Sequence, residues 1–186
     1  AQWLKFANSL RLRLAMRVSN VAPALAEEQA KAALDSKNGG VLETANETVG
    51  QYGIRNPLGG VAGWSEVYMN ASLESYLKGY NDPRIKSYFN LAQDGRDKEG
   101  NIIKEVAGVK QLNSIEGEYK GVRQGTGVAD NRYSTHSQTA ITTGSKIIVM
   151  SAAEVWFLRA EAALRNYTSE NVENCYKQGI TVSFAQ

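Results

Sequence analysis

Apolar residues recur at helical spacing near the start of the chain, within the stretch WLKFANSLRLRLAMRVSNVAP. The strongest arc predicts one buried helix face that consists of Trp3, Ala7, Leu10 and Leu14. Leu12 and Met16 lie roughly opposite, so this helix is predicted to contact neighbours on both sides. Pro23 suits a first helical turn and predicts a second, alanine-rich helix that ends near Lys37, before a pair of glycines.

The C-terminal part of the chain shows a helical pattern again, after a short apolar run. This run, KIIVM at residues 146–150, predicts a strand or an extended segment. Ser151 and Glu154 have the S-x-x-E spacing of a capping box, which predicts the start of a helix that is buried on most of its circumference. A last helix is predicted to begin at Thr168 or Ser169 and to run almost to the end.

Both ends of the chain have the residue spacing of a tetratricopeptide-type helical hairpin, in which small residues let two helices approach closely. The matching positions are Trp156, Ala160, Val172, Tyr176 and Gly179 at the end, and Leu10, Leu14, Ala26, Ala30 and Ala33 at the start. Two unrelated antiparallel hairpins would also fit these positions. The agreement at both ends favours a mainly α fold of tetratricopeptide-like helical hairpins.

The region between the two hairpins is rich in glycine and predicts a loop-rich, irregular insertion. Short helices are predicted at 65–71 and 73–78, with Ser72 as a cap, and the sequence NDPR predicts a turn after them. We interpret the chain as a single partial domain with a helical hairpin at residues 1–38, a loop-rich region at 39–145 and a helical hairpin at 146–186.

Composition argues against several classes of function. The formal net charge is +2, so there is no electrostatic case for nucleic acid or for a polybasic membrane contact. No run of roughly eighteen apolar residues predicts a membrane span. The single cysteine, Cys175, and the single histidine, His136, predict neither an intrachain disulfide nor a cysteine- or histidine-based metal cluster. We expect no metal and no cofactor.

Glu154 and Glu161 are the only tempting carboxylate pair for glycoside hydrolysis. Their spacing places them about 10 Å apart along a helix, beyond the carboxylate separations that glycosidases use. Glu161 also has the spacing of an ordinary ion pair with Arg165. The sequence STHS around His136 lacks the setting of a hydrolase nucleophile, and GVRQGTGVADN lacks the G-K-[ST] of a phosphate loop. The sequence therefore predicts no catalytic residues.

Three stretches resemble the SusD/RagB family in order and approximate spacing. They are WLKFANSLRLRLAMRVS near the start, NDPRIKSYF in the middle, and VMSAAEVWFLRAEAALRN with CYKQGITVSF at the end. The last stretch is close to the family signature, with Ala152 where tyrosine is common and Asn166 where glycine is common. The resemblance implies a SusD-like fold, with tetratricopeptide-like hairpins beside an irregular region. It also implies an interior piece of a longer protein, so the Trp3 face or the last helix should be partly uncovered.

The resemblance further implies a non-enzymatic glycan- or nutrient-binding lipoprotein at the outer-membrane surface of Gram-negative bacteria, with a role in polysaccharide utilisation. Such proteins deliver oligosaccharides to a TonB-dependent transporter of the SusC type, and the lipid anchor would lie outside this chain. The alternatives are a helical-repeat scaffold for protein interactions and, with less support, a carbohydrate-active enzyme.

Sugar capture requires flat aromatic faces framed by hydrogen-bonding side chains. In the loop-rich region, Tyr133 stands beside Asn131 and Arg132, and this cluster is the leading candidate for a ligand site. Trp64 and Tyr68 are further candidates, although their spacing would equally suit the packing of one helix. The resemblance carries over no binding residue, because the ligand sites of the family lie in variable loops.

Overall fold

Helices dominate the structure at both ends of the chain. A computed structural model describes residues 2–51, 53–63, 67–92, 117–125 and 136–185. The helices are α1 (Gln2–Val18), α2 (Pro23–Leu34), α3 (Pro57–Ala62), α4 (Ala71–Gly79), α5 (Ile85–Tyr88), α6 (Ala152–Leu164) and α7 (Val172–Phe184). The strands are β1 (Val49–Gln51) and β2 (Ile147–Met150), and short 3-10 turns cover Ser36–Asn38 and Ala45–Glu47. The mainly α fold of helical hairpins with a loop-rich insertion is confirmed.

The internal contacts of the chain divide it into two units. The terminal unit consists of Ala1–Gln51 and Lys146–Gln186, and the central unit consists of Tyr52–Ser145. The division into residues 1–38, 39–145 and 146–186 stays a prediction.

The core of the terminal unit is rich in alanine, so the backbones of its helices approach closely. Its buried residues include Leu12, Ala15, Met16, Ala26, Ala30, Ala33, Leu42, Met150, Val155, Ala162 and Val182. β1 and β2 pair in an antiparallel manner beside this core, and their register includes Val49 opposite Met150. The strand predicted from KIIVM is confirmed.

The side of α1 that is buried within this chain differs from the predicted core face. Trp3 is 79% exposed and Leu14 is 58% exposed, whereas Leu12 on the opposite side is fully buried. Asn8 donates from Nδ2 to the carbonyls of Asn38 and Gly40, at 2.7 and 2.9 Å. These bonds hold the segment after α2 against the side of α1 that looks polar in the sequence.

Ser9 has a similar role on the same side of α1. Its hydroxyl donates to the carbonyl of Lys5 and accepts from the amide of Leu42, at 2.7 and 2.9 Å. Ser9 and Leu42 are both fully buried. A polar residue that satisfies distant backbone groups is therefore part of the core side, which a hydrophobicity pattern does not reveal.

α6 and α7 form the second hairpin, as predicted. Ala160 is buried, and Gly179 lies so close to α6 that an added Cβ would be 2.7 Å from Cε1 of Phe157. The ring of Phe157 also contacts the ring of Tyr176, with a centroid separation of 5.4 Å. Phe157 therefore meets Gly179 and Tyr176, and the prediction that Trp156 does so is wrong by one residue. Trp156 instead donates from Nε1 to the carbonyl of Glu43, at 2.8 Å.

Several helix ends differ from the predicted ones because asparagine and aspartate side chains cap them. α2 ends at Leu34, and Asp35 then accepts the amide of Lys37 within the 3-10 turn that follows. α7 begins at Val172, because Asn171 rather than Thr168 or Ser169 supplies the capping oxygen. These side chains compete for backbone amides and so fix the helix boundaries.

The same effect places the start of α4. Asn70 accepts the amide of Ser72 at 2.8 Å, so Asn70 is the cap and Ser72 lies inside the helix. Residues 67–70 are not helical, because Tyr68 and Asn70 form isolated β-bridges with Gln138 and Val122. The predicted helix at 65–71 is therefore wrong over these described residues, whereas residues 64–66 lie outside the described part.

Large apolar side chains remain exposed on both terminal helices of the chain. On α7, Tyr176, Ile180 and Phe184 follow one another at four-residue spacing and are 56%, 39% and 49% exposed. The exposed side of α1 carries Trp3 and Leu14. The prediction that the Trp3 face or the last helix is partly uncovered is confirmed for both. Over the described residues, no helix combines the length and the apolar character needed to cross a membrane.

Candidate functional site

Most of the predicted ligand residues lie outside the part of the chain that the structure describes. This holds for Tyr133, Arg132, Asn131 and Trp64. Tyr68 is described and is half-buried, with its backbone in an antiparallel bridge to Gln138. The structure therefore does not test the predicted cluster, and the five residues remain proposals.

The segment around Tyr68 is held in place by backbone pairing in the central unit. The amide of Met69 donates to the carbonyl of Ser137 at 2.8 Å, and both residues are fully buried. The hydroxyl of Ser137 accepts the amide of Lys120 at 2.9 Å. Because this hydroxyl is buried and accepts a backbone bond, it contributes to holding the residue 120 segment in place. Burial, together with the nearby charge of Lys120, lowers the pKa of His136 in the same sequence.

Glu74 anchors α4 to the loop that contains Gly121. Its carboxylate is buried and accepts the amide of Gly121 at 2.8 Å and the ammonium group of Lys78 at 2.9 Å. Burial alone would raise the pKa of Glu74, but these hydrogen bonds outweigh it, and the pKa lies below its usual value. A close approach of Gly121 to Ala71 supports the same contact, because an added Cβ would lie 2.8 Å from the Cα of Ala71. α4 is thus fixed within the central unit on the side of Glu74.

An exposed pair of tyrosines lies at the C-terminal end of α4. Tyr76 and Tyr80 are 65% and 80% exposed, their ring centroids are 6.5 Å apart, and their planes differ by 8°. Glu74 and Leu77 are the buried residues of α4, and Tyr80 is the C-cap residue directly after Gly79. Sequence reasoning missed this pair. The signal that would have found it is the Y-x-x-x-Y spacing at the end of a predicted helix.

The turn after α4 forms a second polar feature. Asn81 adopts a left-handed backbone conformation with φ of 51°, which asparagine tolerates. Asp82 accepts the amide of Arg84 and both Nε and Nη2 of its guanidinium group, with distances of 2.7–3.2 Å. The hydrogen bonds from Arg84 hold the pKa of Asp82 below its usual range. The NDPR sequence therefore has a structural role as a turn, as predicted.

A groove of about 1030 Å³ lies in the terminal unit, between residues 31–43 and 166–170. Most of its charged groups are paired: Lys5 binds Glu47 at 2.5 Å, and Arg159 binds both Glu43 and Glu170. Arg159 also lies over the ring of Trp156, 3.8 Å from its centroid. Because most of its charge is paired among the described residues, the groove is the weaker candidate for a ligand site.

Glu154 and Glu161, the two carboxylates of α6 that were considered for glycoside hydrolysis, both form ion pairs with arginines. Glu154 accepts Nε and Nη2 of Arg13, each at 2.6 Å, and Glu161 accepts Nε of Arg165 at 3.0 Å. Burial raises the pKa of the Cys175 thiol, which agrees with a structural role. Within the described residues, no group of three His, Cys, Asp or Glu side chains could hold a metal ion.

Comparison with solved structures shows the same fold over almost the whole chain. A SusD homolog from Bacteroides vulgatus is 42% identical with a TM-score of 0.76, and the match covers 99% of this chain and 35% of that one. A chitin-binding SusD homolog from Flavobacterium johnsoniae is 35% identical with a TM-score of 0.77, covering 100% of this chain and 35% of that one. A SusD-like protein from Bacteroides thetaiotaomicron is 35% identical with a TM-score of 0.70, over 99% and 35% of the two chains.

The chain thus spans 35% of the length of each of these relatives. No curated protein matches it. The family described as "Susd and RagB outer membrane lipoprotein", SusD-like, matches residues 1–186. The resemblance noted in the sequence is confirmed, and the chain belongs to the SusD/RagB family.

Proposed function

We propose that the protein captures a carbohydrate at the outer-membrane surface and does not alter it. The observation that carries this proposal is the 35% identity to a chitin-binding SusD homolog over the full length of the chain. A second chitin-binding protein is 28% identical over 97% of the chain, with a TM-score of 0.69. Oligosaccharides that contain N-acetylglucosamine are therefore the first class of ligand to test.

The absence of an assigned catalytic pair in the described residues supports binding without turnover. Glu154 and Glu161 form ion pairs with Arg13 and Arg165, so neither is poised as a general acid or a nucleophile.

The family description as an outer-membrane lipoprotein supports a place at the cell surface, through a lipid anchor. We propose that the protein delivers its glycan to a SusC-type TonB-dependent transporter. For the ligand site, we propose the loop cluster of Tyr133 with Arg132 and Asn131, and with Trp64 and Tyr68 as further contacts. Tyrosine supplies a flat apolar face for a sugar ring, and the flanking side chains supply hydrogen-bond donors and acceptors.

Isothermal titration calorimetry on the full-length protein tests this function. The panel consists of chitohexaose, cellohexaose and maltohexaose, so that ligands of the same length differ in linkage and in the N-acetyl group. Saturable binding of at least one glycan is the expected result. Failure to bind any of them, in a preparation that unfolds cooperatively, would contradict the proposed function.

A protein-interaction scaffold is the second candidate, and one observation favours it. The exposed stripe of Tyr176, Ile180 and Phe184 on α7 is the kind of surface that another protein segment covers. This stripe is compatible with a transporter contact and also with a purely structural partner. Tight binding to a protein other than the transporter, without glycan binding, would favour the scaffold.

A further inference from the structure

We propose that Tyr76 and Tyr80 form a stacking subsite for the sugar rings of an extended oligosaccharide. The inference rests on the proposed function, because it names one place where the captured glycan binds. It adds to the proposed loop cluster around Tyr133 a second contact, formed by Tyr76 on α4 and by Tyr80 directly after this helix.

The geometry of the two rings suits a flat ligand. Their planes differ by only 8° and their centroids are 6.5 Å apart, so the two rings are parallel to each other. A pyranose ring has an apolar face of C–H groups, and an exposed aromatic face is its natural partner. The exposed face of each tyrosine can therefore take one sugar ring of an extended glycan.

Tyr76 and Tyr80 are positioned before a ligand binds, because α4 is anchored within the central unit. The amide of Tyr80 donates to the carbonyl of Tyr76 at 3.0 Å, which fixes the separation of the two residues along the chain. Glu74 attaches α4 to Gly121, and Leu77 is buried on the same side. Because the backbone is already ordered, the loss of conformational entropy on binding is confined to side chains, and this favours affinity.

The surroundings of the pair are mostly polar. Its exposed neighbours Ser75, Gly79 and Asn81 are small or hydrogen-bonding, and Leu73, three residues before Tyr76, is an exposed apolar neighbour. Among the described residues, neither tyrosine hydroxyl has a hydrogen-bond partner, so both can bond to sugar hydroxyls.

Tyr176 provides a contrast within the same chain. It is 56% exposed, yet its ring is tilted by 60° against Phe157 and has no parallel neighbour. Tyr176→Ala removes an exposed tyrosine without touching the proposed subsite, and therefore serves as the matched control.

The test measures the affinity of full-length variants for the panel glycan that the wild type binds best. Tyr76→Ala and Tyr80→Ala should each weaken binding by about two- to tenfold, which corresponds to the loss of one aromatic contact. The double alanine variant should lose more than either single variant. Tyr76→Phe and Tyr80→Phe should retain most of the affinity, and Tyr176→Ala should match the wild type.

A double leucine variant at the same positions distinguishes the loss of a binding contact from a folding defect. Leucine keeps the apolar volume and removes the flat face, so affinity should again fall while the melting temperature stays unchanged. Wild-type affinity in the double alanine or double leucine variant would overturn the assignment and leave the proposed function standing. A large fall in melting temperature in both double variants would show that the rings pack inside the full-length protein, which would also overturn it. If the wild type binds no glycan, the proposed function fails and the assignment fails with it.

Discussion

The guanidinium group of Arg13 on α1 donates two hydrogen bonds to the carboxylate of Glu154 on α6, each 2.6 Å long. Their side chains are 24% and 37% exposed, so solvent screens this ion pair only partly. Bidentate bonds between a guanidinium group and a carboxylate are the strong form of a salt bridge. Arg13→Ala and Glu154→Ala should each lower the free energy of unfolding by about 1 kcal/mol. Urea denaturation of the two single variants and the double variant should give a coupling energy of about 0.5–1 kcal/mol.

The pair of Glu173 and Lys177 on α7 is the control for this cycle. Its side chains are 72% and 67% exposed, so its coupling energy should stay below about 0.5 kcal/mol. Equal coupling in the two pairs would contradict the view that Arg13 and Glu154 join the two hairpins of the terminal unit.

Gly179 is predicted to resist replacement by alanine. An added Cβ would lie 2.7–2.9 Å from three ring carbons of Phe157, so Gly179→Ala should destabilise the protein by about 1–3 kcal/mol. The measurement is the denaturant midpoint at constant m-value. Gly79→Ala in α4 is the matched control, because nothing lies within 4 Å of the added methyl group. It should be neutral or stabilising by up to about 1 kcal/mol.

Phe157→Leu provides a second check on the Gly179 contact. In that background the ring edge is gone, and Gly179→Ala should cost less than in the wild type. A stabilising effect of Gly179→Ala in the wild type, as helix propensity alone would give, would contradict the close approach of α6 and α7.

The two hairpins could be predicted from sequence because their signals are local. Pro23, Ser151 and the apolar run at 146–150 mark starts of elements through their own backbone chemistry, and the structure agrees at each. The buried face of α1 could not be predicted in this way. It depends on Asn8 and Ser9, whose partners lie about thirty residues away along the chain, and a hydrophobicity pattern counts both residues as polar.

The contact side of α6 was missed for a related reason. Trp156 and Phe157 are adjacent large aromatic residues, and spacing alone does not decide which of them faces α7. The indole of Trp156 donates a hydrogen bond to the carbonyl of Glu43, and Phe157 is the aromatic residue that packs against Gly179. For the candidate site, the spacing of Tyr76 and Tyr80 was visible in the sequence. Their exposure was not, because it depends on how α4 packs within the central unit, where Glu74 and Leu77 are the buried residues of this helix.

Acid should remove a contribution that Glu47 makes to stability. Burial opposes its charge, but hydrogen bonds from Lys5 and from the amides of Glu43 and Thr44 outweigh this effect and lower its pKa from 4.5 to about 2. Because the folded pKa is the lower one, the contribution is complete above pH 4.5 and is lost as the pH falls towards 2. Denaturant midpoints of the wild type should therefore fall between these values more steeply than those of Glu47→Gln. Glu173→Gln, in an exposed pair, should follow the wild-type curve.

Tyr133 is predicted to contribute to glycan affinity through its ring. Tyr133→Ala should weaken binding by about 1 kcal/mol, within the ~0.5–1.5 kcal/mol of an aromatic contact, and Tyr133→Phe should retain most of the affinity. Calorimetry on the full-length variants measures both values. Wild-type affinity in Tyr133→Ala would remove Tyr133 from the ligand site while leaving glycan capture itself intact.

The central claim is capture of a glycan without chemical change, and one measurement tests both halves of it. Full-length protein is titrated with chitohexaose in a calorimeter. The mixture is incubated for a day, the sugar is released from the protein, and its mass is measured by mass spectrometry. The account predicts saturable binding and recovery of intact chitohexaose alone. Shorter sugars in the recovered material, absent from a protein-free control, would contradict it and place the protein among carbohydrate-active enzymes.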